Sequence, residues 1–316
     1  MLPHSYPFDP SYGHDFDSLL AVGTPDEPPG FVEFWKRRYE RARSVDPSPR
    51  LGPHQASRRG WKIRDLSFTS TGETSINGWL LIPESGEVRR GFVVSHGYGG
   101  RDAPDFHLPF KDAALLFPCS RGLGRSRHPS LPSDPGNHVI HGISDPEQYL
   151  LGNCVEDLWT AASALLNLFP EVEGHLGFLG ISFGGGTGAM AMPWDDRFQR
   201  AHFNVPSFGN QPLRLELPTT GSGASVQRLY QKRPEILETL LFHDAAIAAR
   251  HIRIPVHGAY ALFDPMVAPP GQFSIHNSLG VPGSCFPLTA GHHPYPGQLE
   301  EDRRLLREID TFFQDL

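Results

Sequence analysis

Cysteine is scarce in this chain. Three occur in 316 residues, Cys119, Cys154 and Cys285, widely spaced and odd in number. That argues against a disulfide framework and fits a reducing compartment, so a cytoplasmic protein is expected. No apolar run approaches the length of a membrane span, and the polar, proline-rich stretch from Met1 to Gly13 lacks the apolar core of a signal peptide. Neither a membrane partner nor a cleaved leader is therefore expected. Positive charge is in deficit, with 28 Lys and Arg against 35 Asp and Glu and a net charge of −7, which gives no support for nucleic-acid binding. Neither C-x-x-C nor H-E-x-x-H occurs, and we expect no metal and no cofactor. Internal repeats and low-complexity tracts are missing as well. What is present, 39% hydrophobic and 20% charged residues, describes a globular protein able to bury a large core as one domain.

Residues 1–30 are rich in Pro, Asp and Gly and read as an irregular arm wrapping the body. Phe31, Phe34, Trp35, Tyr39 and Ala42 then recur at helical spacing, giving an amphipathic helix that ends before Pro47. The basic cluster Lys36, Arg37, Arg38, Arg41 and Arg43 reads as its solvated face. After a loop, Trp61–Ser70 and Ile76–Pro83 read as an antiparallel pair at the sheet edge, joined by Thr-Gly-Glu-Thr. From Gly91 onward apolar strands (Gly91–Ser95, Ala113–Phe117, His202–Val205, Ile254–Ala261, Ser284–Leu288) alternate with helices. One helix carries Val155, Leu158, Trp159, Ala162, Leu165, Leu166 and Phe169 on one face, with Asn153 and Glu156 suited to a capping box. The last carries Leu305, Leu306, Ile309, Phe312 and Phe313. The expected fold is α/β: a mostly parallel sheet covered on both faces by helices, with an N-terminal extension. We divide it into an arm and helix at 1–60, packed on a single domain at 61–316. Residues 206–240, less regular, read as a cap or partner-contact segment.

The stretch from His175 to Met192 organises the rest. Leu176, Phe178 and Leu179 form an apolar strand that runs into Gly180-Ile181-Ser182-Phe183-Gly184, and small residues follow that suit a helix packed on a sheet. Strand, tight turn and helix make a nucleophile elbow, in which the two glycines leave room for the turn and the Ser182 hydroxyl is pushed into the open. The string alone is weak, and its partners give it weight. Gly91–Ser95 runs into His96-Gly97-Tyr98-Gly99-Gly100, the place where an α/β-hydrolase finds one oxyanion donor; the other is the N–H after the nucleophile. Here these are the backbone amides of Tyr98 and Phe183. Asp264 and His292 each follow a later strand, in the order serine, acid, histidine. A serine hydroxyl needs a base, imidazole titrates near neutrality, and a buried carboxylate fixes the imidazole tautomer. His293 competes with His292, which we prefer because it directly follows Gly291.

Further stretches extend the pattern: Pro29 to Trp35, Arg121-Gly122-x-Gly124-x-Ser126, His138 to Ile143, Leu237-Glu238-Thr239-Leu240 with Asp244-Ala245, and Asp264-Pro265-x-x-Ala268-Pro269-Pro270. With these the chain resembles, over nearly its whole length, the acetyl xylan esterase / cephalosporin-C deacetylase family (carbohydrate esterase family seven) of α/β-hydrolases. The resemblance implies a serine esterase that removes acetyl groups from small acetylated sugars and often from cephalosporin C. It also implies a cytoplasmic homo-oligomer, commonly a hexamer. By position, Ser182 is the nucleophile, Asp264 the acid and His292 the base, with Tyr98 and Phe183 as oxyanion donors. Leu123 and Phe183 stand where the family usually has Gln, and His293 where Glu is common. The nearest alternative is a serine peptidase of the prolyl-oligopeptidase type, which usually carries a propeller. Others are a catalytically idle hydrolase-fold binding protein and a metalloenzyme built on His128, His138, His141, His292 and His293.

Overall fold

Nine strands form one sheet in the computed structural model, which describes residues 2–316. They are β1 (Arg50–Arg58), β2 (Trp61–Ser70), β3 (Thr74–Pro83), β4 (Arg90–Ser95), β5 (Ala113–Pro118), β6 (Leu176–Ile181), β7 (Phe198–Asn204), β8 (Val256–Ala261) and β9 (Ser284–Leu288). Their spatial order is β1-β2-β3-β5-β4-β6-β7-β8-β9. β1 to β3 are antiparallel, β3 meets β5 antiparallel, and all neighbours from β5 to β9 are parallel. β5 and β8 are buried along their whole length, as expected of parallel strands covered on both faces; β5 reads as an unbroken apolar run, while β8 is interrupted by His257.

The helices are α1 (Phe16–Leu20), α2 (Phe31–Arg43), α3 (Pro135–His138), α4 (Leu150–Leu168), α5 (Phe183–Ala191), α6 (Gln211–Glu216), α7 (Gly223–Tyr230), α8 (Ile236–Phe242), α9 (Ala245–Ala249), α10 (Pro269–Asn277) and α11 (Gln298–Phe312). One core joins α2, α4, α5 and α9 to Val93, Leu116, Phe178 and Phe203 on one face of the sheet. A second joins Leu305 and Ile309 of α11, with Phe313, to Phe92, Leu115 and Phe117 on the other. The α/β-hydrolase arrangement expected from the sequence is therefore present. No helix among the described residues is long and apolar enough to cross a membrane.

Three readings need correction. Residues 50–58 are not loop but the edge strand β1, paired with β2 from Arg50↔Ser67 to Arg58↔Trp61. Gly52 and Pro53 hid it, because an edge strand tolerates a proline and its register shifts between Leu51 and His54. The capping box at Asn153 and Glu156 is absent, since α4 starts at Leu150 after Tyr149, and Asn153 Nδ2 donates to Glu156 Oε2 at 3.1 Å inside the helix. Buried Leu150 and Leu151 extend the apolar face past the expected start. Arg38 belongs to no solvated face. It is fully buried and donates to Glu156 Oε1 at 2.7 Å and to the Glu147 carbonyl at 2.6 Å.

Candidate active site

The elbow is as tight as its glycines require. Ser182 sits between β6 and α5 with φ 55° and ψ −113°, an unfavourable conformation that costs about 1–3 kcal/mol. The surroundings hold it there: its N–H donates to the Asn204 carbonyl at 2.8 Å, and its carbonyl accepts from Gly186 and Ser207 at 3.0 Å each. A Cβ on Gly180 would lie 2.3 Å from the Gly184 carbonyl oxygen, and one on Gly184 would lie 2.6 Å from Ser95 Oγ. Close approach of neighbouring atoms, backbone at Gly180 and the Ser95 side chain with the His96 carbonyl at Gly184, is why both positions are glycine.

The structure brings Asp264 and His292 to this turn. His292 Nε2 stands 3.0 Å from Ser182 Oγ, and Nδ1 stands 2.7 Å from Asp264 Oδ2. Asp264 is fully buried after β8; its Oδ1 accepts from the Met266 and Val267 amides at 2.8 and 2.9 Å, and its Oδ2 from Gln272 Nε2 at 3.1 Å. With Oδ1 held by two amides, Oδ2 is fixed towards the ring. Burial by itself lowers the His292 pKa, but the hydrogen bond and charge of Asp264 outweigh it, leaving a value raised from 6.5. A Cβ on Gly291 would fall 2.3 Å from Asp264 Oδ2, so that glycine is needed for the pair to meet.

Gln272 was not anticipated from sequence. Besides holding Asp264, its Oε1 accepts from the Ala261 amide at 2.8 Å, tying the acid to the end of β8. Pro269 and Pro270 open α10 and set Gln272 in its first turns, the one cue the sequence carried.

Tyr98 and Phe183 are the two residues whose backbone amides the sequence puts forward as oxyanion donors. Phe183 opens α5, so its N–H is not used by the helix ladder. Tyr98 lies in the loop after β4 that lines the cavity over Ser182. The Phe183 ring is fully buried, its centroid 4.4 Å from that of Tyr98 with the rings tilted by 40°, and is not part of the cavity lining; Leu123 is likewise buried in the core. His96 anchors the same loop. Its Nε2 accepts from the Ser120 amide at 3.0 Å while Nδ1–H donates to the Gly97 carbonyl at 2.6 Å. Burial pushes its pKa down to about 4, so it stays neutral. Arg121 of the R-G-x-G-x-S stretch pairs with Asp157 of α4 at 2.6 Å and makes no contact with the cavity.

The other histidines disperse. His293 Nδ1 bonds Tyr6 at 3.2 Å, His138 Nε2 donates to the Arg121 carbonyl at 2.9 Å, and His128 bonds Ser130. Among the described residues no group of His, Cys, Asp and Glu stands close enough to hold a metal.

Above Ser182 lies a cavity of about 690 Å³. One wall is the 97–100 loop with Ser182, His292, Met266 and Val267; the other comes from α6, α7 and the turn between them, with Arg214, Thr220, Ser222 and Ser225. The irregular segment thus supplies one wall of the site, about a third of its lining residues. Nothing periodic in its sequence announced this.

The sequence model of the acetyl xylan esterase family matches residues 22–307. No curated protein sequence matches the chain. Among solved structures, an acetyl xylan esterase from Paenibacillus sp. is similar at a TM-score of 0.82 and 20% identity, over 93% of this chain and 99% of that one. Acetyl xylan esterase 1 from Thermoanaerobacterium sp. gives 0.78 and 21%, over 95% and 99%. An acylaminoacyl peptidase from Pyrococcus horikoshii gives 0.62 and 16%, over 81% of this chain but 41% of that one.

Proposed function

The chain belongs to the acetyl xylan esterase family, and on that premise we propose that it is a serine carboxylesterase that removes acetyl groups from small acetylated carbohydrates or cephalosporin-like esters through an acyl-enzyme. Ser182 Oγ attacks the ester carbonyl as His292 Nε2 takes its proton. Asp264 stabilises the imidazolium and holds its tautomer. The Tyr98 and Phe183 amides receive the negative charge that develops on the carbonyl oxygen, which fixed donors do better than mobile water. Collapse of the tetrahedral intermediate breaks the bond to the alcohol oxygen, and His292 returns the proton to it. Water, deprotonated by the same imidazole, then attacks the acyl group, and acetate and the free serine are released.

The observation that carries this reading is the unbroken run of short contacts from Asp264 through His292 to Ser182, at 2.7 and 3.0 Å, on the floor of a cavity. Its test is turnover of chromogenic esters of rising acyl length by the wild type and Ser182→Ala. We expect the acetyl ester to be preferred and the variant to be inactive. A peak at longer acyl chains would remove the acetyl assignment, retained activity in the variant would remove the serine, and faster hydrolysis of aminoacyl-proline amides would favour a peptidase.

A further inference from the structure

Arg214 is the only Arg or Lys lining the Ser182 cavity, and no Asp or Glu lines it among the described residues. Fully or largely buried arginines elsewhere each have a carboxylate: Arg38 has Glu156, Arg121 has Asp157, and the half-buried Arg197 has Asp195; Arg214 is itself half-buried. Arg214 has none within ion-pair distance among the described residues. Its Nη1 donates to Gln211 Oε1 at 2.8 Å, and its guanidinium lies 5.0 Å over the Phe208 ring. The acid nearest in effect, Asp244, is occupied by the amides of Asn210, Gln211, Ala246 and Ile247. Among the described residues its other N–H groups make no hydrogen bond to the protein, and the residue lines the cavity.

A guanidinium withdrawn from water without a counterion is costly, and its planar fork matches a carboxylate in two parallel hydrogen bonds. The hydroxyls of Thr220, Ser222 and Ser225 share its wall and suit a polyol. We propose that Arg214 recognises a carboxylate on the substrate, so that the esters handled best are acetyl esters of acidic sugars. The carboxylate docks on the Arg214 fork while the acetyl group meets Ser182. This rests on the esterase reading and names its substrate class.

The test compares an O-acetylated methyl glucuronoside with its glucuronamide counterpart, acetylated at the same hydroxyl, alongside p-nitrophenyl acetate. The wild type is expected to favour the acid over the amide in kcat/KM by roughly tenfold or more, a preference that shrinks with added salt. The ratio should collapse towards one in Arg214→Gln. It should fall only partway in Arg214→Lys, which keeps the charge but loses the fork. A wild-type ratio near one, or an unchanged ratio in Arg214→Gln, overturns the proposal while turnover of p-nitrophenyl acetate leaves the esterase standing. Should Arg214→Gln not fold, the lysine variant and the salt series decide, and a full, salt-insensitive preference there overturns it. If no ester is turned over, the esterase reading fails and this proposal with it.

Discussion

On one side of the Ser182 cavity stand the ends of β6 and β8, the loop after β4 and the turn after β9. On the other stand two short helices, α6 and α7, of six and eight residues. The first wall is held by backbone. Ser182 is fixed through its own N–H and carbonyl, and Asp264 through two amides and Gln272. The second wall has one backbone tie among the described residues, the Thr220 N–H to the Pro265 carbonyl at 2.9 Å, and is otherwise held by side chains reaching main chain. Gln227 Nε2 donates to the Arg214 and Leu217 carbonyls, and Thr219 Oγ1 to the Met266 carbonyl. A wall fixed by backbone keeps reacting atoms within a few tenths of an ångström, which bond-making needs. A wall fixed by side chains can be exchanged without disturbing the sheet, which suits choice of substrate.

If that division is right, the largest effects lie on the first wall. Asp264→Asn keeps the size of the side chain but not its donors and acceptors. With Asn Oδ1 still accepting from Met266 and Val267, the amide NH₂ would face both Gln272 Nε2 and His292 Nδ1. The imidazole must then turn to the wrong tautomer, and we expect kcat to fall roughly 10⁴-fold, about 5 kcal/mol of barrier. Steady-state kinetics on an acetyl ester checks this, and a loss of less than tenfold would show that the acid does not hold the base.

Acid should loosen both walls, because each leans on one buried neutral histidine. His96 holds the loop after β4 and is pushed down to about 4 by burial; His243, whose carbonyl accepts from Gln211 beneath the second wall, is pushed to about 3 by burial and by Arg38. A folded pKa below the unfolded value of about 6.5 means that the unfolded chain binds more protons, so stability is full above that value and declines as pH falls. At pH 5 the two together cost about 4 kcal/mol, or a melting temperature lower by on the order of 5–10 °C than at pH 7.5. His292 works the other way. Its pKa is raised, so its pairing with Asp264 stabilises the fold at low pH and weakens as pH rises through the folded pKa. As a base it must be neutral, so kcat/KM should drop with a midpoint above 6.5 while the protein is still folded. Melting curves and rates across pH 4.5–8 separate the two; coincident transitions would mean that unfolding alone sets the acid limb.

The difference between the walls is also a difference in what could be read from the sequence. Gly180, Ser182, Gly184, Asp264 and His292 each obey a local rule, a close approach or a position just past an apolar strand, and so they were legible. Arg214 and Ser225 sit on helices too short for periodicity to show, in a stretch whose only signal was its irregularity. Of the antiparallel strands only β1 was missed, since it carries Gly52 and Pro53 where a strand pattern should be. Glu156 misled because its side chain is bonded to Arg38, Arg41 and Thr71 rather than to a helix start.

Gly291→Ala sharpens the comparison from the first wall with one added methyl. Its Cβ would meet Asp264 Oδ2 at 2.3 Å, Val205 Cγ1 at 3.0 Å and Ala261 Cβ at 3.1 Å. The turn must shift to relieve this, carrying His292 with it. A displacement on the order of 1 Å is enough for a roughly 10²-fold loss in kcat, about 3 kcal/mol. The melting temperature, measured alongside, tells displacement from unfolding, and near-normal kcat would show that the turn has slack.

The smallest effect belongs to the second wall. Ser225 lines the cavity and accepts from Arg228 Nη2 at 2.9 Å, an exposed contact that water can replace. Its hydroxyl can meet a sugar only through a neutral hydrogen bond, worth about 0.5–1.5 kcal/mol net. Such a bond is made alike to bound substrate and transition state. Losing it raises KM without lowering kcat. Ser225→Ala should therefore raise KM for an acetylated sugar by roughly two- to tenfold, leave kcat within about twofold, and barely change the kinetics of p-nitrophenyl acetate, which has no hydroxyls to offer. A fall in kcat on both esters would place Ser225 with the reacting groups, and the two walls would no longer divide the work.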